Sequence, residues 1–174
     1  MAHGTADDFD ARILPHLDDA YTLARHVLGD EHDAQDAVQD AALRAFRHFA
    51  GFRGDNARAW FLSIVRNCCL TLRQGRAVDR ATVPFGEQHL AIVRDDDRAD
   101  AAAIAHSDRA LVTQALAEMP VEFREVLVLR EVQGLSYAEI AEIVGVPAGT
   151  VMSRLSRARR RLASKLGVTD KEAS

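Results

Sequence analysis

Residues 135–166 read LSYAEIAEIVGVPAGTVMSRLSRARRRLASKL. Ser136 and Glu139 stand in the S-x-x-E spacing, in which a hydroxyl and a carboxylate each satisfy a free backbone N–H at a helix start. Leu135 and Ile140 occupy the matching apolar positions around that box. The pattern predicts a short helix over 137–144, ended by Gly145, a residue that enters the left-handed region without strain. Pro147 suits the opening of a second helix, because its missing N–H is not needed there. In that helix Val151, Leu155, Ala158 and Leu162 recur at spacings of four, three and four, which makes one apolar stripe. Ser153, Arg157 and Arg160 point directly away from it. Residues 146–166 hold six cations (Arg154, Arg157, Arg159, Arg160, Arg161, Lys165) and no acid. A short helix, a tight turn and a longer basic helix describe a helix-turn-helix that meets DNA phosphate.

The basic end is unusual for this chain. The 174 residues carry a formal net charge of -4, and the charge is segregated. Residues 1–50 hold ten acids and four Arg, residues 53–80 six Arg and two Asp, and residues 84–108 six acids and two Arg. Two cationic patches separated by acidic surface suggest two grips on one polyanion. The length suits one large domain or two small ones. No apolar run approaches the roughly 18 residues that span a bilayer. The start, MAHGTADDFDARIL, lacks a basic-then-apolar signal design, so a cytoplasmic protein without membrane insertion is expected.

Strand signals are nearly absent, and helical periodicity predicts an all-α chain. Helices are expected over 8–27, 31–50 and 57–74, with the glycine-bracketed loop FRGDN before the third. At about 100° per residue, Ala57, Phe61, Ile64, Val65, Cys68 and Leu72 share one stripe of the third helix. Arg58, Arg66 and Arg73 flank it on one side, Trp60, Ser63 and Asn67 on the other. Periodicity fades over 76–106, where Pro84, Gly86 and Asp95-Asp96-Asp97 read as a flexible, acidic linker; a short helical stretch around 101–105 fits inside it. Helices then run from about Ser107 to Pro120 and over 121–132, where Gly134 supplies the stop. The expected organisation is two small helical domains, 8–75 and 107–167, joined by the linker.

At this point the residues resemble a known family. MPVEFREVLVLREVQGLSYAEIAEIVGVPAGTVMSRLSRARRRL, residues 119–162, is similar to region 4 of bacterial RNA polymerase sigma factors of the small extracytoplasmic-function (ECF) group. DAQDAVQDAALRAF, residues 33–46, resembles region 2.2, and FRGDNARAWFLSIVRN, residues 52–67, resembles regions 2.3 and 2.4. The resemblance implies docking of the 33–46 helix on the clamp of the largest catalytic polymerase subunit, through Asp33, Asp36, Gln39 and Asp40 with Leu43 and Phe46 beside them. Carboxylates and an amide can accept from an Arg-bearing partner, and the apolar face adds buried area; on the residues alone, a solvated acidic face is the other reading. It implies a further contact with the flap of the second-largest subunit. Residues Asn56, Arg58, Trp60, Ser63, Arg66 and Asn67 are implied to recognise and open the downstream (−10) promoter element. An unstacked base needs an aromatic or amide partner, and arginines hold its backbone; Trp60 is equally open to core packing. Tyr137, Glu139, Gly149, Thr150, Ser153, Arg154, Arg157 and Arg160 are implied to meet the upstream (−35) element, with Arg159, Arg160 and Arg161 nearer phosphate than base. Met119, Pro147-Ala148 and Met152 depart from common family residues, which bears on the promoter sequence read. No counterpart of the inhibitory N-terminal extension of primary members is expected here, so an anti-sigma protein is the expected inhibitor.

No G-x-S-x-G, phosphate-binding glycine loop or H-E-x-x-H occurs, and the seven His are scattered. Cys68 and Cys69 are adjacent, without a C-x-x-C, and read as small apolar helix residues. No enzyme activity, metal or cofactor is expected. Two rivals stay open: a helix-turn-helix regulator that never binds polymerase, and a sigma mimic that sequesters an anti-sigma factor. The first leaves residues 33–67 unexplained; the second has no need of an arginine-rich reading helix.

Overall fold

The computed structural model describes residues 3–82 and 102–168. Within them every regular element is helical: α1 (His3–Ile13), α2 (Leu17–Leu28), α3 (Glu31–His48), α4 (Ala57–Thr82), α5 (Ala102–Ala117), α6 (Val121–Leu127), α7 (Tyr137–Val144) and α8 (Ala148–Lys165). Pro84, Gly86 and the Asp95–Asp97 run lie outside the described residues.

Three departures from the periodicity have identifiable causes. The helix expected over 8–27 is two, because Pro15 stands in a 3-10 turn, Leu14–His16, between α1 and α2; its ring and missing N–H prevent a continuous α-helix. α4 continues past Gln74 to Thr82. Gly75 in a helix interior costs roughly 1 kcal/mol, but side chains on either side of it anchor the extension. Arg73 donates to the Val27 carbonyl at 3.0 Å, and Arg76 pairs with Asp33. The helix after Pro120 ends in a π-turn, Val128–Val132, where the Gln133 N–H reaches the Val128 carbonyl.

The caps follow the sequence. Gly29 ends α2 with φ of 73° and Gly145 ends α7 with φ of 70°. Asp30 opens α3 by accepting from the Asp33 N–H at 2.9 Å. Ala34, Ala37, Ala41 and Ala45 form the buried side of α3; their small size lets α3 lie close to α2 and α4. There Ile13, Leu23, Val27, Phe61, Leu62 and Val65 fill the first core. Met119, Val126, Leu129, Leu135, Ile140, Val151 and Leu155 fill the second. The buried residues of both form one continuous cluster, because α7 packs across α4 and α6 against α2. Nothing in the local patterning announces this seam.

Candidate nucleic-acid interface

The helix-turn-helix starts with both halves of the capping box made. The Ser136 N–H donates to the Glu139 carboxylate at 2.8 Å, and the Glu139 N–H donates to the Ser136 hydroxyl at 3.2 Å. Hydrogen bonds to its carboxyl from the Ser136 backbone, and then from the Ser136 side chain, hold Glu139 below the usual carboxylate range. Val151, Leu155 and Ala158 of α8 are buried, so the opposite face is turned outward. Gly149, Ser153, Arg157 and Arg160 are exposed there. Among the described residues no acid engages Arg157 or Arg160. Arg159 instead binds Glu131 at 2.5 and 2.9 Å, and Arg161 lies over Phe123 at 4.9 Å. The other four predicted residues of this surface face protein to some degree. Thr150 is partly covered, and its carbonyl accepts from the Ser153 hydroxyl. Tyr137 sits beneath the Arg130 guanidinium at 4.8 Å. Glu139 accepts from the Asn56 side-chain amide at 2.9 Å. Arg154 is half-buried, 3.8 Å from Glu125.

The second predicted surface is the loop before α4 and the first three turns of that helix. Phe52 stacks on Trp60, centroids 4.6 Å apart at 26°, and Phe49 lies beside both. Gly54 is needed here, because a Cβ would come within 2.9 Å of the Phe52 ring. Arg12 donates to the Gly54 carbonyl at 2.9 Å and covers the Phe52 ring, which pins the loop. Trp60 is thus half-buried in an aromatic layer while keeping an accessible part. Asn56 caps α4, accepting from the Ala59 N–H at 2.9 Å. Ser63 spends its hydroxyl on the Trp60 carbonyl. Asn67 is exposed.

The three remaining polar groups of this surface are occupied across the seam. Asn56 reaches Glu139. Arg58 donates to Asp19 at 2.8 Å and to the Gln133 carbonyl at 2.9 Å. Arg66 makes a two-pronged pair with Glu125, at 2.7 and 2.9 Å. Glu125 is 1% exposed, and the sequence reading passed over it. Its signal was available: it is an acid on a helical face otherwise made of Val121, Val128 and Leu129. Arg124, also missed, donates to the His26 carbonyl at 2.7 Å and to the Ala117 and Met119 carbonyls.

On α3, Asp36 and Gln39 are exposed and Asp40 pairs with Arg44 at 2.8 Å. Leu43 and Phe46 are 52% and 54% exposed. Phe46 is held edge-on by Phe9 at 5.2 Å. These five share one face. Asp33 stands apart from it, 8% exposed and paired with Arg76. Burial pushes the Cys68 and Cys69 thiols up to about 11 and about 12, which leaves little thiolate for redox chemistry. Among the described residues no cluster of acids, His or Cys could hold a metal ion, and no helix is long and apolar enough to cross a membrane.

Two family descriptions match the chain, Sigma-70 region 2 over residues 13–77 and Sigma-70, region 4 over residues 109–162. The chain is similar to the ECF RNA polymerase sigma factor SigM of Mycobacterium tuberculosis, 40% identical over 160 residues, which covers 91% of this chain and 77% of that protein. The RNA polymerase sigma-H factor of Pseudomonas aeruginosa is 32% identical over 182 residues, covering 99% and 93%. Against the ECF sigma factor SigE of Mycolicibacterium smegmatis, 32% identical, the chain spans 64% of the relative's length. Among solved structures, the sigma factor RpoE in complex with the anti-sigma factor NepR, from Bartonella quintana, superposes with a TM-score of 0.73 at 28% identity, covering 92% of this chain and 98% of that one. CnrH in complex with the cytosolic domain of CnrY gives 0.65 at 25% identity, covering 97% and 94%.

Proposed function

Because the chain belongs to the sigma-70 family, in its extracytoplasmic-function group, we propose that it binds core RNA polymerase and directs promoter-specific transcription initiation, recognising the −35 element through α8 and opening the −10 element through α4 and the loop before it. The observation that carries this is the presence in one chain of two differently built faces. The outward Arg157–Arg160 side of α8 suits a polyanion. The Asp36, Gln39, Leu43 and Phe46 side of α3 suits a protein: an exposed apolar centre with hydrogen-bonding groups beside it. A regulator without polymerase binding has no use for the second face.

The division of labour follows from chemistry. Residues 8–75 form the unit for polymerase docking and −10 melting, and residues 107–167 the unit for −35 readout. Arg157 or Arg154 set against guanine makes a bidentate pair worth about 1–3 kcal/mol of discrimination. Trp60, already stacked on Phe52, offers a π-face for an extruded base, and Asn67 an amide about two helical turns further along α4. The bond-making chemistry is the polymerase's; the chain is a non-catalytic subunit of the cytoplasm. An anti-sigma protein is its inhibitor; the similar RpoE of Bartonella quintana forms a complex with the anti-sigma factor NepR. Competition for core polymerase against another sigma factor tests the docking half, and loss of competition in Asp36→Arg with Gln39→Ala is the expected result. Unchanged competition removes α3 from the interface.

A further inference from the structure

The loop that carries the −10 surface into α4 has few bonds of its own. The Phe52 N–H donates to the Phe49 carbonyl at 3.0 Å, and Asn56 caps α4. Arg53, Gly54 and Asp55 between them are exposed. Among the described residues, the one hydrogen bond to the backbone of these three comes from Arg12 of α1, 42 positions earlier, which donates to the Gly54 carbonyl at 2.9 Å. The same guanidinium lies over the Phe52 ring at 5.0 Å and reaches the Phe49 ring at 5.8 Å. A planar guanidinium can donate through its edge and stack through its face at once, which an ammonium cannot. Its nearest acid is Asp8, one turn back, at 4.0 Å and 56% exposed, a weak competitor for the charge. α1 is seated on the core by Phe9 and Ile13, both buried. Arg12 stands outside that core, and the partners it reaches beyond its own helix are the loop and the aromatic layer.

We propose that Arg12 is a positioning residue for promoter opening: it contacts no DNA, but fixes the Gly54 carbonyl and the Phe52 ring so that Trp60 presents one set face to the base that leaves the stack. This deepens the −10 assignment of Trp60 and rests on it. An extruded base returns to the duplex unless a partner face is waiting for it. A loop of exposed residues around a glycine, left to itself, samples many conformations and must be ordered at the moment of capture. Arg12 does that ordering in advance, through Phe52, which stacks on Trp60. Gly54 acts on the same ring by a separate route. A Cβ there would fall 2.9 Å from the Phe52 ring and force it to move. One charged and one uncharged position therefore converge on a single aromatic seat, and substitution at either should disturb it alike.

The test compares the full-length wild type, Arg12→Ala and Gly54→Ala, each with core polymerase, on a promoter found by run-off transcription. Opening is followed by the fluorescence of 2-aminopurine placed in the −10 element. Both variants should open the duplex about tenfold more slowly or worse, while competing for core polymerase and binding a −35 duplex as the wild type does. Trp60 is the only tryptophan, so acrylamide quenching of the free chain reads the aromatic seat directly, and both variants should be quenched more strongly. The salt dependence of opening should be unchanged in Arg12→Ala, because no phosphate contact is lost. A salt slope lowered by about one would make Arg12 a DNA contact and overturn the positioning role. Wild-type quenching of Trp60 in both variants overturns it as well, and so does loss of core-polymerase competition in both, which would reduce Arg12 to a brace of the fold. Wild-type protein that opens no promoter defeats the −10 assignment itself. A wild type that opens its promoter, with both variants opening it equally fast, defeats this role alone.

Discussion

Arg66→Ala perturbs the seam at its most buried point. Glu125 is 1% exposed and receives two charge-assisted bonds from Arg66, at 2.7 and 2.9 Å. After the substitution its remaining cation is Arg154, at 3.8 Å. Removing one partner of a buried ion pair costs about 3–5 kcal/mol, because the other charge stays desolvated. The surviving Arg154 contact offsets about 1 kcal/mol of that, so a loss of about 2–4 kcal/mol is expected. That is a large share of the roughly 5–15 kcal/mol typical of a folded domain. The matching double variant, Arg66→Met with Glu125→Leu, removes both charges and fills the space, and should be neutral to within about 1 kcal/mol or more stable than wild type. Urea unfolding, read by far-UV circular dichroism and by the emission of Trp60, the single tryptophan, gives each free energy. If the cost of Arg66→Ala is met by parting the seam, the two probes will cease to coincide. A single variant within about 0.5 kcal/mol of wild type, or a double variant as weak as the singles, would refute the electrostatic account.

The remaining predictions concern the other surfaces. Arg157→Ala should leave the melting temperature unchanged, since the residue is exposed and unheld, and should weaken a −35 duplex by about 1–3 kcal/mol if it reads a base, or lower the salt slope by about one if it holds phosphate; anisotropy titrations at several salt concentrations distinguish the two. Leu43→Ala with Phe46→Ala should cost core-polymerase affinity about 2 kcal/mol or more with little effect on folding, measured by competition against a second sigma factor. His26 has its pKa lowered, chiefly by burial. The unfolded chain therefore binds more protons between the folded value and about 6.5, so stability should fall as pH drops below about 6.5. His26→Gln should flatten that slope in urea titrations at pH 7.5, 6.5 and 5.5, with the residual slope coming from His16, which is shifted in the same sense.

What the sequence disclosed was what local chemistry decides. The box of Ser136 and Glu139, the stop at Gly145 and the stripe of Val151, Leu155 and Ala158 each need only residues a turn or two away, and each stands where the spacing puts it. Pro15 was visible and its break could have been read. The extension of α4 past Gly75 could not, because it depends on Arg73 and Arg76 finding Val27 and Asp33 more than forty positions earlier. The same reason hides the seam. Arg66 and Glu125 are 59 residues apart, and an arginine on a helix flank looks the same in sequence whether it waits for phosphate or is already paired. The candidate surfaces therefore separated in the structure into outward members (Asn67, Ser153, Arg157, Arg160) and held members (Asn56, Arg58, Arg66, Arg154).

The most direct measurement is run-off transcription with core RNA polymerase, this chain and a library of genomic fragments. Discrete transcripts starting at fixed positions, sharing an upstream motif and abolished by Asp36→Arg with Gln39→Ala, are the predicted result. Core polymerase that starts at the same places, or nowhere, with and without the chain would contradict it.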